Sequence, residues 1–357
     1  MLVGAQGTGK SLALQWLKTA IDGKHILEWF EDLGYDVDAE DWIDFIFGDG
    51  MGPAWTSHTQ IRHDGKLVTL KTLARSRREQ ERVFFIPAHR ALLISDGWAA
   101  PFHKLTSEIP VVARLFSQHL FDRFRKRHGD RLFPRNQLLR PQYRRLIDDA
   151  IYHGGQLGIE TDATQARRLK LTHGESRLPF MTWTAGQREF TPLLLGLSHL
   201  LPPRDQSKDP DVDWVVIEEP EMGLHPQAIA AFLLLALDLL ARGYRVVLST
   251  HSPLVLAAAW MLRRLRETGA NWQLVCDAFD LPTKGRALLK PVADAALASA
   301  IRVHHLAFAD DGKVRSKDIS SLDPGSDDDD ISGWGGLVGF SSRFGEVVRR
   351  AVNEADR

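Results

Sequence analysis

The sequence predicts an α/β protein built on a largely parallel sheet. Apolar runs of strand length at 214–217 and 245–249 are each followed by a helical stretch, at 226–241 and 253–266. Continuously apolar strands indicate a sheet covered on both faces, and their alternation with helices indicates parallel crossover units. A glycine-rich turn also stands between Met1-Leu2-Val3 and a helix-forming stretch at 11–21.

The other elements follow in chain order. Residues 56–72 read as a hairpin, with Thr59, Ile61, Leu67, Thr69 and Lys71 flanking His63-Asp64-Gly65, because Asp-Gly favours a tight turn. Val83-Phe84-Phe85-Ile86 reads as a short buried strand stopped by Pro87. From 95 to 158 the pattern is helical, cut into short pieces by Pro101, Pro110, Pro134 and Pro141. A second hairpin is expected over 167–180 around His173-Gly174, then a helix over 184–201 and a polar loop over 202–213. The acidic run 326–330 reads as a solvated loop. No internal repeat is visible.

Composition excludes several classes. The single cysteine, Cys276, rules out an internal disulfide framework and a cysteine-rich zinc site, and fits a reducing, cytoplasmic setting. A net charge of −1 provides no general attraction to nucleic acid. The apolar stretches 193–201 and 229–240 fall short of the roughly 18–20 residues of a membrane span. Residues 1–10 do not read as a secretory signal, because a glycine turn stands where the apolar stretch belongs.

Four chemical motifs occur in order. Gly4-Ala5-Gln6-Gly7-Thr8-Gly9-Lys10-Ser11 fits the phosphate-binding pattern G-x-x-x-x-G-K-[ST]. Gly4, Gly7 and Gly9 let successive backbone N–H groups, that of Thr8 among them, turn inward around phosphate oxygens at a helix N-terminus. Lys10 would reach the β- and γ-phosphates of ATP, and the Ser11 hydroxyl would bind Mg²⁺. Glu218 and Glu219 end the strand at 214–217, where adjacent side chains face opposite sides of the sheet. Glu218 is expected to hold Mg²⁺ through water, and Glu219 to orient or deprotonate the attacking water. His251 follows the next strand, where an imidazole can contact the γ-phosphate. Thr184-Ala185-Gly186-Gln187 is the remaining motif.

With these residues the chain resembles the ABC-type ATPases, AAA-type nucleotide-binding proteins, and among them the SMC-like and OLD-like heads, a group associated with prokaryotic defence. The discriminating string is Glu218-Glu219-Pro220-Glu221-Met222-Gly223-Leu224-His225-Pro226, similar to the E-P-E-x-x-L-H-P of that branch, where transporter subunits carry E-P-x-S-A-L-D. Phe85-Ile86-Pro87-Ala88-His89-Arg90 resembles a strand-end motif of the same heads. The resemblance implies a P-loop NTPase head with a β-hairpin lobe. It divides the chain into an N-terminal half (1–94), a short basic helical insertion (95–165) and a C-terminal half (166–357). It also implies a head-to-tail homodimer with two ATP molecules between the heads. Thr184, Ala185, Gly186 and Gln187 would then contact the γ-phosphate bound by the opposite subunit. Three positions depart from the pattern. Thr184 replaces the signature serine, Glu218 replaces the metal-side aspartate, and the glutamine-loop residue is placed only by guess at Gln60.

The phosphate loop comes early, preceded only by Met1-Leu2-Val3. The strands that usually precede it and help to hold adenine are missing. The expectation is a start further upstream, whose added strands would give the loop's own strand a neighbour; the alternative is a reduced base pocket.

The insertion carries Arg123, Arg125, Lys126, Arg127, Arg131, Arg135, Arg140, Arg144 and Arg145 against Asp122 and Asp130. It lacks the sustained heptads of a long coiled coil. Such a cluster can meet phosphates or an acidic protein surface, or be a solvated face. Three functions stay open. One is an ATPase dimer controlling a protein effector, a nuclease or toxin encoded nearby, as in anti-phage systems. The second is a DNA-repair or recombination ATPase binding DNA through the insertion. The third is a nucleotide-sensing scaffold with little turnover.

Overall fold

The computed structural model describes residues 1–34, 42–56, 59–69, 72, 80–126, 131–134, 139–161, 165–201 and 208–355. Strand β1 (Leu2–Gly4) leads through the glycine turn into helix α1 (Lys10–Asp32), followed by α2 (Trp42–Phe47). The first expected hairpin is reduced to β2 (Arg62–His63) and β3 (Lys66–Leu67), with Asp64 and Gly65 both at positive φ in the turn. Lys71 lies outside the described residues. Strand β4 (Val83–Ile86) is buried throughout, as its four apolar residues demand.

The stretch expected to be helical is mixed. It holds β5 (Ile94–Ser95), β6 (Trp98–Ala99), α3 (Val111–Lys126), β7 (Arg131–Phe133), α4 (Pro141–Ile147) and β8 (Gln156–Thr161). Strands of two or three residues are too short for any period to register. β8 buries only Leu157 and Ile159, alternate positions with few apolar neighbours to mark them. The second hairpin forms as expected from β9 (Arg167–His173) and β10 (Ser176–Pro179). The alternation α5 (Ala185–Leu200), β11 (Trp214–Glu218), α6 (Pro226–Ala241), β12 (Arg245–Ser249) and α7 (Pro253–Glu267) follows the sequence closely. Beyond it come α8 (Trp272–Ala278), α9 (Lys290–Ala298), β13 (His304–Phe308), β14 (Val314–Asp318), α10 (Asp329–Ser332) and α11 (Gly339–Ala355).

The chain forms two compact units, residues 1–10 with 248–357, and residues 11–247. In the first, β1 has parallel neighbours on both sides. Leu2 aligns with Ser249 of β12, while Leu2, Val3 and Gly4 align with His304, His305 and Leu306 of β13. These neighbours come from the far end of the sequence, where residues ahead of β1 had been expected to supply one. Strand β14 adds antiparallel to β13. The core here is Val3, Leu256, Ala259, Val303, Ile319 and Leu322. The acidic run is locally paired: Lys317 Nζ donates to Asp328 Oδ1 at 2.7 Å and to Asp330 Oδ2 at 2.8 Å.

In the second unit β4 and β11 pair in parallel, Val83 with Trp214 through Ile86 with Ile217. A separate antiparallel sheet runs in the order β10-β9-β8-β7. Helix α1 is fastened to the start of β4 by Lys18. Its buried Nζ donates to Asp22 Oδ2 at 2.7 Å, Glu81 Oε1 at 2.5 Å and Val83 O at 2.7 Å. The Asp22 carboxylate in turn accepts the Arg82 and Val83 amides, each at 2.9 Å. Burial alone would lower the Lys18 pKa, but the carboxylates of Glu81 and Asp22 outweigh it and hold the ammonium charged. The predicted α/β class with largely parallel pairing is borne out. Among the described residues no helix is long and apolar enough to cross a membrane.

Candidate nucleotide site

The glycine turn has the backbone that a phosphate cradle requires. Gly4, Gly7 and Gly9 have φ of 148°, 79° and 78°. At Gly4 the demand is also spatial, since a Cβ there would lie 2.2 Å from the Leu306 carbonyl oxygen. Thr8 is buried and its hydroxyl donates to Ala5 O at 2.8 Å, tightening the turn. Lys10 is folded inward, its Nζ donating to Gly4 O at 2.8 Å and Ala5 O at 2.9 Å. The ammonium thus lies inside the turn, held by carbonyls that an arriving phosphate can replace.

His251 belongs to the same unit. Strands β1 and β12 are parallel, and the Thr250 amide donates to Leu2 O at 3.1 Å. The chain therefore leaves β12 at His251 on the sheet edge where the glycine turn leaves β1. Buried Thr250 shapes that exit by accepting the Ser252 amide on its hydroxyl at 3.0 Å.

In the second unit the two glutamates differ sharply. Glu218 closes β11 and is buried; its Oε2 accepts the Ala88 amide at 3.2 Å. Burial pushes its pKa up, Glu219 adds to this, and the Ala88 amide, the Ser11 hydroxyl and Arg90 oppose it. Ser11 thus meets Glu218, although Oε1 makes no geometrically complete hydrogen bond among the described residues. A serine hydroxyl beside a buried, under-satisfied carboxylate oxygen is a donor set that suits Mg²⁺. Glu219 is half-buried and has φ of 40°, a left-handed conformation unusual for a residue with a side chain. Glu219 lies past the end of β11, so strand alternation does not set its direction. Both glutamates line a cavity of about 370 Å³ with Ser11, Gln15, His89 and Glu108. Its apolar wall includes Leu93, Ile109 and Val112.

Arg90 is the residue that sequence reasoning undervalued. It is fully buried, and its guanidinium donates to six carbonyls. The bonds run from Nε to Glu189 (3.0 Å), from Nη1 to Pro87, Ala88, Glu218 and Glu219 (3.2–3.4 Å), and from Nη2 to Pro220 (3.3 Å). Burial pulls its pKa down against the opposing pull of Glu189, Glu221, Glu219 and Glu218, to a net value of about 10, so it stays charged at neutral pH. The strand-end motif contained this arginine, but carbonyl partners leave no trace in a sequence. Gln15 could have been found, because it lies one helical turn beyond Ser11 on α1. Gln60, the guessed glutamine-loop residue, is exposed, accepts from Arg62 Nη2 at 3.2 Å and does not line the cavity.

The predicted signature residues form the start of α5. Thr184 caps it: the hydroxyl accepts the Gln187 amide at 3.2 Å, and the Gln187 side chain accepts the Thr184 amide at 3.1 Å. Gln187 Nε2 also donates to Ile151 O at 3.0 Å. The first bond of the helix runs from the Arg188 amide to Thr184 O, so the amides of Ala185 and Gly186 precede it, as in helix ends that receive anions. Gly186 has a reason within its own chain to be small, since a Cβ would lie 3.2 Å from Gly223 O.

The basic insertion does not form one free face. Arg140 lies 3.7 Å from Asp238, Arg145 lies 3.5 Å from Asp149, and Arg125 lies 3.9 Å from Asp122. Arg131 is exposed and Arg123 and Arg144 are half-buried. Arg127, Arg135, Asp130 and the Lys126 side chain lie outside what is described.

No curated protein matches the chain. Two solved structures share 9% identity with it. One is an Smc head bound to the C-winged helix domain of ScpA (TM-score 0.38), covering 89% of each chain. The other is a Pyrococcus furiosus Smc head domain with an extended coiled coil, bound to the C-terminal domain of ScpA (TM-score 0.27). In that case 51% of this chain is covered, and it spans about a third, 35%, of the other. Residues 1–257 match the model of the family described as "AAA domain, putative AbiEii toxin, Type IV TA system", so the chain is an AAA-type ATPase domain belonging to that family.

Proposed function

We propose that this chain binds Mg²⁺–ATP and hydrolyses it slowly, as a nucleotide-gated homodimer that controls a protein effector. The carrying observation is the Ser11–Glu218 contact, with Oε1 incompletely satisfied and Glu219 beside it. In this reading the amides of residues 4–11 and Lys10 hold the phosphates. Ser11 and Glu218 hold Mg²⁺, which when bound polarises phosphoryl oxygens. Glu219, held at its turn by Arg90, orients the attacking water and takes its proton. His251 contacts the γ-phosphate from the edge of β12. The family description, which names a toxin and a toxin–antitoxin system, supports an effector and a defence role.

Lys10→Ala is expected to weaken ATP binding at least about a hundredfold, because charge-assisted phosphate bonds are worth roughly 1.5–3 kcal/mol each. Glu219→Gln should bind ATP normally and turn it over at least about a hundredfold more slowly. Nucleotide titration and phosphate release check both. Parent-rate turnover by Glu219→Gln would remove the catalytic assignment.

The trans arrangement needs its own test. Ala185 is exposed at the first position of α5, where an added aspartate suits the helix but repels a phosphate. Ala185→Asp and Lys10→Ala chains should each be inactive alone. Mixed dimers contain one intact composite site and should recover part of the activity. Full activity of Ala185→Asp alone would show that α5 does not face a nucleotide.

A further inference from the structure

A second cavity, of about 450 Å³, lies wholly within the first unit, and its charge is one-sided. Arg263 and Arg266 of α7 line it together with Arg302, which precedes β13. Glu267 is the acid among its described lining residues. Residues 299–301 and Ser320 complete the wall.

Arginines in the last turn of a helix ordinarily serve its terminal carbonyls. Here the carbonyls of Arg264, Leu265 and Arg266 already accept the amides of Thr268, Ala270 and Gly269 at 2.9–3.1 Å. Arg263 and Arg266 instead reach other segments, each through Nη1, to Ser320 O at 2.7 Å and Ser299 O at 3.2 Å. Each guanidinium has five N–H donors, so both keep capacity for a ligand. Glu267 does not balance the three charges. It is shared between Arg263 Nε at 2.8 Å and Arg264 Nη1 at 2.9 Å, and Arg264 lies outside the lining. Arg302 is exposed and approaches Asp318 only to 3.8 Å, a carboxylate that also accepts the Ser320 amide at 2.8 Å. The backbone adds further donors. The amides of Ala300, Ile301 and Arg302 meet no acceptor among the described residues. Successive unbonded amides beside guanidiniums favour an anion.

We infer that this cavity binds a small anion carrying two or more phosphate groups. Guanidinium forks match phosphate oxygens two at a time. The volume exceeds that of one phosphate and falls among those of small-ligand sites. The site is separate from the glycine turn. Residues 299–302 lead into the start of β13, where His304 aligns with Leu2, whereas the turn leaves the other end of β1. The cavity therefore stands at the opposite edge of the sheet, and its anion is not the one held by Lys10.

The test uses the full chain carrying Lys10→Ala, which silences the glycine turn, and titrates it calorimetrically with tripolyphosphate in the absence of Mg²⁺. One tripolyphosphate should bind per chain. Arg266→Gln and Arg302→Gln should each weaken binding at least about tenfold, the loss expected for one charge-assisted phosphate contact. Arg264→Gln removes the same charge from the same helical turn but outside the cavity, and should change the affinity less than about threefold. All three side chains are exposed, and unchanged unfolding midpoints show that each variant is folded. No binding by the Lys10→Ala chain, an equal loss in all three variants, or tighter binding of a short DNA duplex than of tripolyphosphate would overturn the proposal.

Discussion

Replacing Arg90 by methionine is expected to cost about 3–5 kcal/mol of folding stability, the range for removing one partner from a buried charged network. The side chain donates to the backbone of residues 87–88, 218–220 and 189. Its loss leaves those carbonyls unsatisfied and the surrounding glutamates without their cation. Denaturant unfolding should show the drop in midpoint. A second effect separates positioning from mere stability. Glu219 has a left-handed backbone held by the same guanidinium, so ATP turnover should fall further than ATP affinity. Arg90→Lys should restore charge but not the fork, recovering stability in part and turnover hardly at all. An unfolding midpoint equal to the parent's would show that the carbonyl network contributes nothing.

Gly4→Ala should be the most damaging single change in the phosphate loop. The new methyl would lie 2.2 Å from the Leu306 carbonyl, a backbone atom in β13 that cannot step aside alone. A φ of 148° adds strain of roughly 1–3 kcal/mol for any residue with a Cβ. Together these should push β1 away from β13, lower the unfolding midpoint and abolish ATP binding. Gly7→Ala is the contrast. It shares the positive φ but meets nothing within 4 Å, so its stability cost should be about 1–2 kcal/mol. Thermal unfolding and nucleotide titration of the two variants measure the difference, and equal behaviour would discount the contact with Leu306.

The sequence was readable where burial is expressed through side chains. β11 and β12 are built on short apolar runs, α6 is apolar but for Gln227 and Asp238, and polar or proline boundaries mark their limits. Lys10, Ser11, Glu218 and Glu219 were legible because their residue types and spacing constitute a motif. Structure dictated by backbone contacts was not legible. β13 opens with His304-His305 and reads as polar, yet it is strand because β1 and β14 flank it. β7 is too short for a period, and the hydrogen bonds of Arg90 among the described residues go to backbone carbonyls. The basic insertion looked like one cluster because a sequence does not reveal that Arg140 turns to Asp238, far along the chain.

The pairing of β1 with β13 bears on how the protein is made. The nucleotide loop follows β1 directly, while that strand's neighbour β13 is made of residues 304–308, far along the chain. Loop closure over such a separation is slow and must await synthesis through residue 308. A nascent chain halted at residue 257, where the family match ends, would have every motif residue and still lack that side of the strand. ATP can therefore reward folding only once β13 has been made, so that nucleotide capture would report a β1 flanked on both sides.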